Sequence, residues 1–556
     1  MHETNGFTPP APGVWELEAT HMQRPVSRAI ANVFPAAATA GFSEGSARYG
    51  MLLEYLEFAV VNRFVYICPR PVGAPKGAKG PPPKFIFKAL TKLHPEMRKR
   101  VRRVGEVWKN KLWREDVKRW DDEWKPAIAK ENSALQRVDI RALSDEELIK
   151  HVEATFDAIR RGVTRHHSLN VTAMLPTGDF LAHVKEWTGL SPAEVLPLFR
   201  GSSKVSRGAA EEIDALAALI TVEDLSGSDA SAVVDALLAR TDAAGEAARK
   251  YVDAVGVRIA TGYDVADVTF AEMPELLIEN IRAAITGKAA TTADDVQKRE
   301  AALRDKVPAQ HRALFDELLA EARLTYRIRD ERTYLNDMWS AGLTRRAILE
   351  AGRRLAAKGK LHDATHAVEL ELKELVSMLR GGNDRTADQA AADVQYRTTR
   401  TIADAPRFLG GEPSGPPPSD WFPPDAARAE RAIGIVMGEM FAAREKQKAA
   451  STVSGFAASP GQVTGIARLV LDPLDMGRVR KGDVLIARAT APSYNALLPL
   501  LSGIVTDRGG TLSHAAVVAR EYGIPAVVGT GNATELIRDG MRVRVNGATG
   551  TVELLA

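Results

Sequence analysis

The sequence predicts a multidomain α+β protein with a large, mainly helical N-terminal part, a linker and a smaller C-terminal α/β domain. Three observations carry that reading. The chain has 556 residues, too many for one ordinary core. Residues 15 to 400 are dominated by apolar residues at helical spacing. From about residue 453 the pattern changes to short β-type runs punctuated by Gly, Asp and Pro. The expected division is a helical domain over 1–405, a linker with one helix over 406–452, and an α/β domain over 453–556.

Taken in order, "GAPKGAKGPPPK" (73–84) reads as an exposed Gly/Pro/Lys loop. Residues 76–125 are strongly basic and hold four tryptophans, Trp108, Trp113, Trp120 and Trp124. Such a mixture suits nucleic acid. Interleaved acids and tryptophan spacings of four to seven residues instead favour a charged amphipathic helix with an aromatic inner face. "DEELIKHVEATFDAIRRGV" (145–163) has a helical period, acids in its first turn and Ser144 placed as N-cap. The segments 210–220, 230–256 and 365–382 repeat the helical pattern, the last ending in Gly381-Gly382 as a C-cap. "LGGEPSGPPPSDWFPPD" (409–425) is the linker signal, because clustered prolines and glycines enter neither helix nor inner strand. One more helix follows over 426–449, and then the β-type runs "VTGIARLVL", "DVLIARA", "GIVTDRG", "PAVVG" and "RVRVNGATGTVELL".

Composition narrows the function classes. The net charge of +3 is near neutral for this length, so nothing in it calls for nucleic acid or an anionic membrane. The single cysteine, Cys68, excludes an internal disulfide and a multi-cysteine metal site; within "FVYIC" it reads as inert core. No metal site is expected in the chain. No apolar run reaches the roughly 18 residues of a membrane span, and the N-terminus lacks a signal-peptide pattern. A cytoplasmic location, with no membrane and no nucleic-acid partner, is the expectation.

The chemistry concentrates in "TDRGGTLSHAAVVARE" (506–521). A strand runs into Gly509-Gly510, which can take positive φ and let another molecule approach the backbone. Thr511 and Ser513 supply hydroxyls at a helix start, and His514 opens the helix. The free N–H groups and positive dipole end of such a helix favour a bound phosphate, with Arg508 able to add charge. Neutral imidazole, with a reference pKa of about 6.5, is a competent nucleophile near neutrality. A phosphohistidine intermediate needs that combination. An isolated S-H-A would read rather as a buried helix start with an incidental histidine.

The full stretch closely resembles the mobile phosphohistidine ("swivelling") domain of the phosphoenolpyruvate-utilising and dikinase family. Gly509, Gly510, Ser513, His514 and Ala515, then "GIPAVVG" (523–529), match its core, and "SPGQVTGIARLV" and "KGDVLIARAT" match its opening strands. The resemblance implies that His514 is the phospho-acceptor, with Arg508, Gly509, Gly510, Thr511 and Ser513 around the phosphate. Only 42 residues follow His514, so the barrel that serves pyruvate in many members (about 250 residues) is not expected. The N-terminal half shows neither an ATP-grasp domain nor a Walker phosphate loop. The order of parts is similar to rifampicin phosphotransferases without their ATP domain. "WELEATHMQRPVSR" is similar to phenylphosphate synthases, in which separate subunits carry the ATP-grasp and histidine domains. The resemblance therefore implies an ATP-dependent phosphotransferase subunit. An ATP-grasp partner would supply the phosphoryl group with Mg²⁺ or Mn²⁺, and a phenolic hydroxyl would receive it. A rifampicin-type antibiotic acceptor, or a phosphocarrier or regulator with no small-molecule substrate, is the alternative.

A phenol needs a proton acceptor and cations for the transferring phosphoryl charge. Three clusters qualify: His21 with Arg24; His166 and His167, with His183 downstream; and Arg327, Arg329, Asp330 and Arg332 in "RIRDER". Each has a plainer reading. Alternating charge on a helix is usually a solvated face, and adjacent histidines point to different sides of a helix. "RGSSKVSRG" (200–208) could cradle a phosphate or simply cap a helix.

Overall fold

The computed structural model describes residues 6–78, 80–202, 209–286, 293–442, 444–448, 451–471, 473–490 and 492–555. Residues 203–208, most of "RGSSKVSRG", lie outside the described residues. The chain divides into two compact units. The first comprises Met1–Leu175, Tyr263–Ala266 and Arg332–Arg431; the second comprises Pro176–Gly262, Asp267–Glu331 and Ala432–Ala556. The mainly helical character and the C-terminal sheet follow the sequence pattern, while the units group the chain differently from a division at 405 and 452. Residues 176–331 contribute to the same unit as the C-terminal domain because their apolar faces share one core with it. That core joins Leu216, Leu237, Tyr251 and Leu277 to Leu485, Ile504, Ala516 and Val528.

The first unit holds a sheet that the helical reading of residues 15–400 missed. Its strands are β1 (Trp15–Leu17), β2 (Leu53–Val61), β3 (Phe64–Pro71) and β4 (Phe408–Leu409), in the antiparallel order β2-β3-β1-β4. The β2–β3 turn is Asn62-Arg63, with φ of 48° and 69°, the double left-handed turn whose twist suits a two-residue hairpin. Trp15, Phe64 and Tyr66 are buried beneath this sheet with Cys68. The proline-rich segment is anchored at both ends within this unit. Leu409 pairs with Trp15, and Phe422 packs edge-on against Phe87 with ring centroids 4.9 Å apart. The basic tryptophan-rich region is several short helices rather than one. It breaks at Lys111, where φ is 48°, and buries Trp113 and Trp120 while Trp108 and Trp124 stay half-buried.

Three helical elements build the part of this unit that matters for function. Helix α1 (Phe34–Tyr49) packs on β2 and on α2 (Asp145–Ser168). Ser144 caps α2 with a reciprocal Glu147 contact, as its sequence predicts. A π-helical turn, Thr333–Met338, leads directly into α3 (Trp339–Ala357), and such turns recur at functional sites. Close approach demands small residues at both crossings of α2. A Cβ on Gly41 would lie 2.3 Å from the Thr164 carbonyl oxygen, and one on Gly162 would lie 2.6 Å from the Asn336 carbonyl oxygen. The segment read as one helix over 365–382 divides into a 3₁₀ stretch, Ala364–Glu369, and a helix, Leu372–Leu379. Likewise 230–256 divides at Asp242, which caps the second helix.

In the second unit an eight-stranded sheet runs β5-β12-β11-β7-β8-β9-β10-β6. The strands are β5 (Thr452–Ser454), β6 (Phe456–Ser459), β7 (Gln462–Val470), β8 (Val484–Ala487), β9 (Gly503–Thr506), β10 (Ala526–Val528), β11 (Arg542–Asn546) and β12 (Thr551–Leu555). The centre, β7-β8-β9-β10, is parallel. Strand β8 is apolar on both faces, as a doubly covered parallel sheet requires: Leu485 and Ala487 face the core shared with residues 216–283, while Val484 and Ile486 face the opposite cluster with Val505, Val543 and Val545. Helix α4 (Pro424–Phe441) enters this unit at residue 432, and α5 (His514–Tyr522) covers β6 and β10.

The C-terminal end of α5 is tied to the helices of its own unit. The Glu521 carboxylate accepts the Gly201 N–H at 2.9 Å, and the Glu521 carbonyl accepts from Arg200 at 3.0 Å. Burial pushes the Glu521 carboxyl up from 4.5 to about 7. The folded state then holds a proton that the unfolded state has released, so this group's contribution to stability is lost as pH rises from about 4.5 to about 7. Glu521→Gln is expected to flatten that part of the stability profile, read as urea midpoints across the window; identical slopes for variant and wild type would refute the assignment.

Candidate functional site

His514, the candidate nucleophile, stands at the edge of a buried sheet. Strand β9 ends at Thr506, and Asp507, buried behind it, accepts the Thr534 N–H at 3.0 Å. Gly509 takes φ of 100°, a region that disfavours any side chain. Ser513 caps α5, accepting from the Ala516 N–H at 3.5 Å, and His514 is the first helical residue. The imidazole is half-buried and held at both nitrogens: Nδ1 lies 2.9 Å from Thr490 Oγ1, and Nε2 lies 2.9 Å from Asn495 Oδ1. Two short-range partners thus fix the ring plane while its position at a helix N-terminus favours an attached anion.

The other residues expected around the phosphate are placed as follows. Gly509 N–H donates to the Ala442 carbonyl at 3.0 Å, Gly510 N–H to the Met440 carbonyl at 3.4 Å, and Thr511 Oγ1 donates to the Glu439 carboxylate. The end of α4 therefore occupies these three donors in this arrangement, and a phosphate on His514 would gain them only after that segment moves aside. A Cβ on Gly510 would lie 2.4 Å from the Glu439 carbonyl oxygen, so close approach by backbone explains this glycine. The Arg508 side chain is exposed. Thr490 and Asn495 were not singled out in the sequence. Thr490 ends the matching "KGDVLIARAT", but its contact with a histidine 24 residues away is set by the pairing of β8 with β9.

In the first unit the structure brings His21, His166, His167 and Arg332 together. Asp337, on the π-helical turn, joins them with Oδ2 2.6 Å from His166 Nδ1. Arg332 Nη1 donates to the His166 carbonyl at 2.6 Å. The His166 and His167 rings are 4.9 Å apart, and His167 stacks on Phe42 at 4.8 Å with Phe34 and Phe58 beside it. His21 is exposed, packs edge-on against Tyr263 and is held by Glu18 at 3.1 Å. Burial is the largest influence on both histidines of α2 and, with the Arg332 charge, lowers them well below the ordinary range; burial also raises Asp337 well above the ordinary carboxylate range. Arg24 faces away into a contact with the Thr398 carbonyl at 3.0 Å.

The remaining candidates belong to the second unit. Arg327 pairs with Glu331 at 3.0 Å, and Arg329 and Asp330 lie within electrostatic reach of Tyr326 and of the Arg520–Glu521 end of α5. His183 Nδ1 donates to the Asp179 carbonyl of its own helix, and its ring packs on Trp187. "RIRDER" is thus divided between the units after Glu331. Among the described residues no group of three or more His, Cys, Asp or Glu side chains is arranged to hold a metal ion, and no step is derived through one. No helix of the described residues is long and apolar enough to cross a membrane.

If Thr490 and Asn495 fix the ring, Thr490→Val should leave the secondary structure intact by circular dichroism while the His514 imidazole ¹⁵N signals report a second tautomer or orientation. Unchanged imidazole signals would show that other contacts hold it.

Comparison with known proteins places this geometry. Residues 479–550 match the family model of the "PEP-utilising enzyme, mobile domain". A rifampicin phosphotransferase from Streptomyces sp is 29% identical over 463 residues, covering 78% of this chain and 51% of that protein. A rifampicin phosphotransferase from Bacillus cereus is 42% identical over 120 residues, 21% of this chain and 14% of that protein. A probable phosphoenolpyruvate synthase from Staphylothermus marinus is 46% identical over 102 residues, 18% of this chain and 12% of that protein. The chain spans about half the length of the Streptomyces relative and less of the others. With the histidine loop, its helix and its sheet in place, residues 479–550 match the mobile domain of phosphoenolpyruvate-utilising enzymes, and the chain as a whole is similar to phosphotransferases that carry such a domain.

Proposed function

We propose that this chain is a phosphotransferase component that carries a phosphoryl group on His514 and passes it to the hydroxyl of an aromatic acceptor held in the first unit. The observation that carries the reading is His514 at the N-terminus of α5, ring-fixed by Thr490 and Asn495 within a matched mobile domain. The donor would be the β-phosphate of ATP, bound with Mg²⁺ or Mn²⁺ by an ATP-grasp partner subunit. Motion of the histidine domain about the 406–452 segment, with separation from the core it shares here with residues 216–283, would move the group from donor to acceptor. Withdrawal of the α4 end would expose the Gly509, Gly510 and Thr511 donors to the phosphate.

A phenol is supported as acceptor by the company of His166, His167, Arg332 and Asp337 beside Phe42, Phe34 and Phe58. These supply proton acceptors, a fixed cation and apolar ring faces, the set that phosphorylation of an aromatic hydroxyl requires. A rifampicin-type acceptor is a second reading, favoured by a match with the Streptomyces enzyme that extends over 78% of this chain.

The test uses the purified chain, a lysate of its source organism and ATP labelled separately at the β and γ positions. Acid-labile label should arrive from the β position only and be absent in His514→Ala. An unlabelled wild-type chain beside an active lysate would overturn the reading.

A further inference from the structure

Asp337 is a carboxylate that neither motif nor composition pointed to. It sits on the π-helical turn Thr333–Met338, against the end of α2 that carries the two histidines. Gly162 and Gly41 bring the π-helical turn and α1 within backbone distance of α2, so the pair of His166 and Asp337 is set by three closely packed elements. Both side chains keep a solvent-accessible part, 17% for His166 and 15% for Asp337, while Nδ1 is buried 2.6 Å from the carboxylate without forming a hydrogen bond in this arrangement. Asp337 reaches Nδ1, which leaves Nε2 as the nitrogen able to meet a ligand.

We propose that Asp337 and His166 form the base that takes the proton from the acceptor hydroxyl, in a site whose apolar side is the Phe34–Phe42–Phe58 cluster and whose occupant is a hydroxylated aromatic ring. This rests on the phosphotransfer reading above. A small turn of the ring at this distance would let Asp337 accept the Nδ1 proton and leave the lone pair on Nε2, the orienting role that a carboxylate plays toward a histidine base. In the transfer step the acceptor O–H bond breaks and its proton passes to Nε2. The acceptor oxygen bonds to phosphorus, and the bond from phosphorus to the His514 ring breaks with its electron pair returning to that ring. His514 takes up one proton from solvent and the His166–Asp337 pair releases one, so protons balance. Arg332, fixed on the His166 carbonyl, places a positive charge beside the forming aryl phosphate.

The charges acting on the pair are Arg332, which precedes the π-helical turn, His21 of the N-terminal segment and, toward His166, its neighbour His167. His21 is itself held by Glu18. Burial disfavours both the ionised carboxylate and the imidazolium, so below the titration the pair keeps one extra proton and Nε2 is a donor. Activity should therefore rise with pH as that proton is lost.

The experiment loads His514 with labelled phosphate in the full chain and follows its discharge by phenol. For Asp337→Asn the loading should be unchanged, the discharge rate should fall at least about 100-fold, the low end for loss of a positioned base, and the rise with pH should disappear. KM for phenol should change little. His166→Gln should behave alike, which guards against a folding defect in either variant. A nitrophenol, already ionised at the assay pH, should restore discharge in both variants because it needs no base. Discharge of Asp337→Asn by phenol at the wild-type rate, or equal losses with phenol and nitrophenol, would overturn the base. A wild-type chain that never takes label would overturn the phosphotransfer reading, and the base with it.

Discussion

The second unit is governed by one constraint: His514 stands at the edge of a sheet whose central strands are buried on both faces. Strand β8 is apolar throughout and β9 is so up to Thr506, because residues 216–283 cover one face and the cluster from Val453 to Val552 covers the other. Polar groups can then appear only where the strands end. Thr490 follows β8, Asp507 follows β9, and the glycine loop turns the chain from β9 into α5. The parallel pairing of β8 with β9 brings Thr490 to His514. The histidine is thus a consequence of sheet architecture as much as of a local motif.

The same economy explains the end of α4. Its last carbonyls, at Glu439, Met440 and Ala442, would be orphaned at a helix C-terminus, and they are satisfied by Leu512, Gly510 and Gly509 N–H groups. Under the proposed function, Gly509 and Gly510 would serve two masters: helix-end carbonyls here, and phosphate oxygens once His514 is phosphorylated. A charged phosphate accepts hydrogen bonds more strongly than a neutral carbonyl. Phosphorylation of His514 would bias the α4 end toward release, which couples the chemical state of the histidine to the segment leading into its domain.

Much of the second unit was legible in the sequence, for physical reasons. Its strands are short apolar runs between Gly, Asp and Pro, and the histidine loop compresses strand end, turn, cap and nucleophile into a dozen residues. The first unit was less legible. Strands β1 and β4 have three and two residues, too few for an alternation to register, and they pair across nearly the whole chain. His21, His166, His167 and Arg332 were visible as chemistry-bearing residues, yet nothing local said that they meet. Asp337 carries no motif at all, and its significance comes from a π-helical turn and from the missing Cβ of Gly162. In "RIRDER" the alternation of charge concealed a division: Arg332 stays with the histidines, whereas Arg329 and Asp330 face the end of α5.

In the proposed function one chain both accepts a phosphoryl group on His514 and transfers it to an aromatic hydroxyl in the first unit. The most direct test needs no partner. Isotopically labelled phenol is incubated with unlabelled phenyl phosphate and the purified chain, and label is followed into phenyl phosphate. Exchange that His514→Ala abolishes is the expected result, because the phosphoryl group must rest on the histidine while phenol leaves and returns. Exchange that persists in His514→Ala, or its absence in a wild-type chain shown to be phosphorylated on His514, would contradict it.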